Sequence, residues 1–421
     1  MRKQVEHTES KQRKQEQWLD IGIFVVLLAA VSVITYCLFY RQCVESLRGT
    51  KGSGLYHSDM RAYILEMQGL DSGYSFPYPI FFKLSAFLHL FVGPECAVAL
   101  ATTLLNGLAM VFTKWALQRA SGKEMRALFP GCPVLGGACI SVVSVALFFV
   151  SMVFPPPGHY LPGILFTYLG VFTPNPFHNA TYMAARPFSI LAFVWLAKLL
   201  DGYEEGACAA KDYVLFSIFL LATTMTKPSF TIVLVGAAGL VMLFRLLRSK
   251  FADWKAAILL GLTFLPTFAD LLYQYKGVFV PEEGAEGGIG FCFGRIWGLY
   301  CHNIPLAVGL AAGFPILVLL LNYKELKTDT LYRLSWQIYA MGFAMAFFLY
   351  EKGFREPDFN FSWGYMGGIF IVFLGALHVL LRKTARREKP FLLAMQWAAF
   401  GWHLLCGLYF FYGICQGHMY Y

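Results

Sequence analysis

The sequence predicts an all-α integral membrane protein with about eleven transmembrane helices, an interfacial helix in its first outer loop, and one polytopic domain spanning 1–421. Three observations predict it. Hydrophobic residues make up 57% of the chain and charged ones 14%, where a water-soluble chain carries about 25% charged residues. Apolar stretches of about 17 to 24 residues recur between short polar interruptions, each long enough to cross the hydrocarbon as a helix. Basic residues gather in alternate interruptions, as the positive-inside rule requires of a multi-pass chain. Disorder, a coiled coil, a secreted disulfide scaffold and an ordinary soluble enzyme are excluded. The net charge of +9 follows from this topology and needs no nucleic-acid partner.

The first apolar stretch, from about Trp18 to Tyr40, lacks a small-residue cleavage site and reads as a retained signal anchor behind a basic cytoplasmic tail, 1–18. Spans follow near 95–116, 134–154, 184–200, 213–226, 228–246, 256–273, 304–321, 334–350, 363–381 and 391–414, with 76–92 re-entrant or interfacial. An amino terminus inside places Lys114, Arg119, Lys123 and Arg126 in the cytoplasm, then Arg245, Arg248, Lys250 and Lys255, and later Arg382, Lys383, Arg386, Arg387 and Lys389. It also places the carboxyl terminus outside, in a cell membrane, with no separate soluble domain expected after the last span. An even count of spans would carry most of these clusters outward. The outer segments 41–94, 155–183, 274–303 and 351–362 are long and rich in Pro, Gly, aromatics and charge, the composition of loops that carry function. The ten cysteines form no CxxC pair or zinc spacing. Cys292 and Cys301 share an outer loop, and a reduced pair is favoured over a disulfide.

In the first outer loop His57, Ser58, Asp59, Tyr63 and Glu66 lie on or beside a helix predicted over 58–68, whose Met60, Ile64 and Met67 recur at helical spacing and are expected to face the membrane. Asp59, Tyr63 and Glu66 share a neighbouring face. A purely structural alternative has Ser58 capping the helix and Asp59 complementing its dipole. The same side collects His178, Tyr182 and Arg186 around a span start, and Lys227 before Pro228 in a break of an apolar stretch. Asp270, Arg295, His302, Glu351, Arg355, Glu356 and Asp358 follow. Ionised groups at that depth are costly unless they pair or line a watery cavity, so a polar outer cavity is expected. Each also has a plain alternative: Arg186 snorkelling to headgroups, Lys227 reaching the interface from a helix turn, the histidines as hydrogen-bonders, and Arg355 with Glu356 as a surface ion pair. Asn179-Ala180-Thr181 and Asn360-Phe361-Ser362 match the glycosylation pattern but sit too near span ends to be credited.

The inward first helix, the long outer loop with Asp59, Tyr63 and Gly69, the run Tyr74-Ser75-Phe76-Pro77-Tyr78-Pro79 and the many helices after it resemble membrane glycosyltransferases of the GT-C superfamily. The motif likeness covers the amino-terminal third, and the rest is alike in architecture. The resemblance implies inverting transfer of a sugar from a polyprenyl-phosphate donor to an acceptor hydroxyl on the outer face, with Asp59 as catalytic base. A departing phosphate requires fixed cations, and by location these are Arg186 and Lys227, then His178 and Arg295. His57, Tyr63, Glu66, Tyr182, Glu351 and Glu356 complete the expected substrate-binding set. The neighbour of Asp59 is Ser58 instead of the second acid that several members use with a divalent metal, so no cofactor is assigned and metal dependence stays open. The partners implied are the lipid donor, membrane lipid and an unidentified glycan, lipid or protein acceptor. Two other readings stand beside this one: a polymerase or ligase of surface polysaccharide, and a transporter or flippase of lipid-linked sugar, which paired broken helices at the midplane would favour.

Overall fold

The computed structural model describes residues 2–48, 55–153, 173–278, 288–353 and 355–417. Its amino-terminal part is α1 (Arg2–Arg48), the short α2 (Met60–Met67) and α3 (Pro79–His89), then α4 (Pro94–Ala127) and α5 (Pro133–Ala146), which ends in a 3-10 turn, Leu147–Phe149. Then come α6 (Ala180–Gly202), α7 (Ala210–Thr224), α8 (Pro228–Arg248), α9 (Trp254–Leu262) and α10 (Leu265–Val278). The remainder is α11 (Arg295–Tyr300), α12 (Ile304–Asn322), α13 (Glu325–Thr328), α14 (Thr330–Phe348), α15 (Ser362–Ala385) and α16 (Pro390–Cys415). Two three-residue strands, β1 (Ile289–Phe291) and β2 (Leu349–Glu351), pair antiparallel. Proline occupies a first-turn position in α3, α4, α5, α8, α12 and α16, where its missing N–H is no loss.

Each apolar stretch read as a span contains helix, although the one over 134–154 leaves it after Phe149 and the one over 256–273 breaks between Leu262 and Leu265. Among the described residues, however, seven helices are long and apolar enough to cross a membrane, or eight if the bent pair α9 and α10, at 48° to each other, makes one span. The expected eleven is therefore larger than the count reached by length and apolarity. The difference lies in α5, α7 and α14, which are short or carry polar groups into the helix packing. The re-entrant or interfacial reading of 76–92 corresponds to α3, eleven residues long.

The centre is α15, whose apolar window is wholly buried. Glycines make that possible: a Cβ at Gly364 would lie 2.5 Å from Val233 of α8, and one at Gly375 would lie 2.3 Å from the Ser335 hydroxyl of α14. Small residues are how membrane helices approach closely when no hydrophobic drive separates protein from lipid. Polar pins then fix the helices. Asp20 of α1 receives Lys114 of α4 at 2.9 Å and Ser141 of α5 at 3.2 Å. At the same end Asp329, before α14, binds His378 at 2.7 Å and Arg382 at 2.9 Å, both from α15.

Helix α12 breaks at Ala312, and the groups released there find new partners. The Leu310 carbonyl accepts Val153 N–H at 2.8 Å, and Phe314 N–H donates to His403 Nε2 at 3.1 Å. An accepting Nε2 leaves the proton on Nδ1, which donates to the Ser151 carbonyl at 2.6 Å. Helix α16 reaches this point because Gly407 has no side chain: a Cβ there would fall 1.6 Å from the Phe149 carbonyl oxygen. Gly407→Ala is expected to lower stability by about 1 to 3 kcal/mol or more, read as an earlier thermal transition in detergent. Gly401→Ala, on the same helix with open space around it, should leave the transition unchanged or raise it.

Candidate functional site

Asp59 occupies the position before the first turn of α2, yet its side chain makes no cap. Ser58 Oγ instead stands 3.5 Å from Met60 N, a weak contact. The Asp59 carboxylate turns the other way, and its Oδ2 accepts Asn179 Nδ2–H at 2.7 Å and the Tyr63 hydroxyl at 3.3 Å. Oδ1 receives no hydrogen bond from the described residues, and the residue keeps a partly exposed edge. The backbone holds this placement, because Asp59 N–H donates to the His178 carbonyl at 3.2 Å. The apolar face of α2 does not meet lipid as expected. Met60 and Ile64 are buried in the protein core, since α2 lies against α1, α3 and α4.

Asn179 is the hub. It caps α6, and its Oδ1 accepts Tyr182 N–H at 2.9 Å, the Thr181 hydroxyl at 3.0 Å and Lys227 Nζ at 3.2 Å. Lys227 also donates to Thr181 at 3.2 Å, and Thr181 meets the Tyr63 hydroxyl at 3.3 Å. One amide thus faces a carboxylate with its donor end and an ammonium with its acceptor end, so each charge reinforces the orientation the other needs. Lys227 precedes Pro228, which starts α8 and leaves the lysine extended. Its ammonium stands 4.9 Å from the Trp363 ring centroid, a cation–π separation. His178 and Tyr182 lie on the same ring at 5.6 and 5.8 Å.

Arg186 lies behind this network, not at a headgroup. It is buried, donates to the Pro174 carbonyl, and is boxed by the rings of Phe148, Tyr182 and Phe370 at 5.4, 5.1 and 4.7 Å. Arg186 and Lys227 line one small cavity of about 20 Å³ with Tyr182 and Ser189, room for roughly one water. The two cations therefore face a common space, with Asp59 beyond Asn179.

Burial holds the Asp59 carboxyl above the usual carboxylate range, while Lys227, Tyr63, Asn179 and His57 pull it back. Burial, helped by the charges of His57 and Lys227, pushes His178 down to about 3, so its ring is neutral at physiological pH. Glu66 is raised by burial and accepts a 3.4 Å contact from Ser72. His57 stands exposed at the rim.

Arg295, Glu351 and Glu356 gather with Arg355 at the β1–β2 pair, whereas Asp270 bonds Gln274 at 2.7 Å on its own helix. Arg295, at the start of α11, pairs with Glu356 at 2.9 Å and lies 4.6 Å over the Tyr350 ring. Buried Glu351 accepts from Asn360 and faces Arg355 at 3.9 Å. Among the described residues no hydrogen bond joins this cluster to Asp59, although the charge of Arg355 bears on Tyr78 and Lys227. Asn179, Thr181 and Trp363 belong to the neighbourhood but were absent from the expected set, and Arg355 was named only among the outer charges. The one legible signal was Asn179 standing before a helix, a capping position. With Asn179 and Thr181 both buried, that glycosylation pattern is spent on internal bonding. Segment 155–172 of the outer loop expected over 155–183 lies outside the described residues. Cys292 and Cys301 are both free thiols. Among the described residues no group of three or more His, Cys, Asp or Glu side chains is placed to hold a metal ion. Compared with family models, curated proteins and solved structures, the chain has no match.

Proposed function

We propose that this membrane-embedded chain is an inverting glycosyltransferase that moves a sugar from a polyprenyl-phosphate donor to an acceptor hydroxyl at the outer face. The observation that carries the reading is the Asp59–Asn179–Lys227 relay: a carboxylate with one open oxygen and a fixed ammonium, held apart and oriented by one amide. In the reaction, Asp59 takes the proton from the acceptor hydroxyl as that oxygen bonds to the anomeric carbon. The bond from that carbon to the phosphate oxygen breaks on the opposite side, and its electron pair leaves on the phosphate. Lys227, with Arg186 behind it, supplies positive charge where that oxyanion forms. The Trp363 ring offers a flat wall beside the ammonium for the apolar face of a sugar.

Reconstituted protein should release polyprenyl phosphate from a matching labelled donor and give a product of inverted anomeric configuration, read by NMR. Movement of intact donor between leaflets without bond cleavage would favour the flippase. Extension of a lipid-linked glycan with release of polyprenyl diphosphate would favour the polymerase. Arg186→Ala is expected to weaken donor binding by about 2 to 4 kcal/mol, the scale for a desolvated charge contact, measured as a raised KM for donor. An unchanged KM would leave Arg186 as a packing residue among its three rings.

A further inference from the structure

The end of the bundle opposite the Asp59 relay holds a larger feature. Lys227, just before α8, and Arg245, near its far end, stand about 27 Å apart along the helix axis. Around Arg245 opens a cavity of about 1210 Å³ between α6, α8 and α14, larger than the roughly 300–1,000 Å³ of a small-molecule site. Its walls are of two kinds. Leu240 and Phe244 line it and are 60% and 64% exposed, continuing an outward apolar face of α8 that includes Leu243 and Leu247. At its polar end stand Arg245, Arg248, Lys327 and Arg333.

These cations are not all neutralised within the cavity. Arg245 is tied to the Leu200 carbonyl at 2.6 Å and to Glu204 at 3.5 Å. Arg333 spends its donors on the Leu326 carbonyl and the Thr330 hydroxyl, at 3.0 and 2.7 Å, and stands close enough to Arg245 for the two charges to repel. Arg248 and Lys327 are exposed, and their side chains make no hydrogen bond or ion pair among the described residues. Asp201 and Asp253 are the other acids on the wall, so cations outnumber acids while some carboxylate acceptors remain. A wall that is apolar toward the bilayer and cationic at one end complements an amphiphile with an anionic head. The surplus lies at the basic end, which the charge bias assigns to the cytoplasmic leaflet, where anionic lipids concentrate.

We propose that this cavity binds one anionic phospholipid with hydroxyl groups on its head, its phosphate among Arg248, Lys327 and Arg333, its hydroxyls toward Asp201 and Asp253, and its chains along Leu240 and Phe244. The site is separate from the Asp59 relay and does not depend on the reaction assigned there. The probe is phosphatidylglycerol, offered to the full-length protein in detergent and counted by native mass spectrometry beside a thermal melt. One phosphatidylglycerol should be retained per chain, with a higher melting temperature than in phosphatidylcholine. The double variant Arg248→Gln/Lys327→Gln removes two cations that support no other contact and should weaken retention by roughly 30-fold. Lys255→Gln, a cation of the same end that does not line the cavity, should leave retention unchanged. Equal retention in the double variant and the wild type, equal loss in Lys255→Gln, or preference for phosphatidylethanolamine would overturn the proposal. Stabilisation by inorganic phosphate equal to that by the lipid would also overturn it, because the apolar wall would then contribute nothing.

Discussion

Asp59→Asn should leave the protein folded and lower sugar transfer by about 10² to 10⁴-fold, the contribution of a positioned general base. The substitution keeps the side chain's shape, so the Asn179 amide still finds an acceptor at 2.7 Å and the Tyr63 hydroxyl at 3.3 Å still finds its oxygen. What disappears is the capacity to take a proton. The same carboxyl sets an acid limb. Its value is held above the usual carboxylate range, so the active, ionised form is lost as pH falls through that raised value, and activity falls with it. His178, at about 3, is already neutral through that range and does not contribute the limb. Single-turnover transfer against pH, with thermal melts of both proteins, measures each part. Full activity in Asp59→Asn would remove the carboxylate from the chemistry.

The sequence carried the charged members of this site better than the groups that join them. Asp59 and Lys227 stand out because an ionised side chain near the end of an apolar stretch has few cheap placements. Asn179 does not, since an amide in a loop has many ordinary uses. Its role depends on Asp59 and Lys227 arriving from two other places in the chain. The face of α2 was misassigned for a related reason: Met60 and Ile64 at helical spacing declare an apolar face but not whether lipid or protein covers it. The number of spans is open for a similar reason: α5, α7 and α14 fold as helices, but apolar periodicity alone does not say whether such a helix crosses the bilayer. Arg295 and Glu356 share the functional end but satisfy each other at 2.9 Å, a pairing between segments about sixty residues apart that spacing does not reveal.

Lys227→Met separates a structural lysine from one that acts on the reaction. Methionine keeps the unbranched, flexible stem and can lie against Trp363, and Asn179 retains its capping bond to Tyr182 N–H. Two consequences of the lost charge are then expected together. Asp59 loses the cation that most opposes the effect of its burial, so the acid limb should move to higher pH. The departing phosphate loses its nearest fixed ammonium, so kcat/KM for the donor should fall by roughly 30- to 1,000-fold, the range of a desolvated charge contact. Lys227→Arg should recover part of the rate, because the charge returns in a different shape. A lysine that only packs would change the melting temperature and leave the limb where it is. A fall in rate with an unmoved limb would mean that Lys227 meets the phosphate but is not electrostatically coupled to Asp59, and the relay through Asn179 would then lose its chemical meaning.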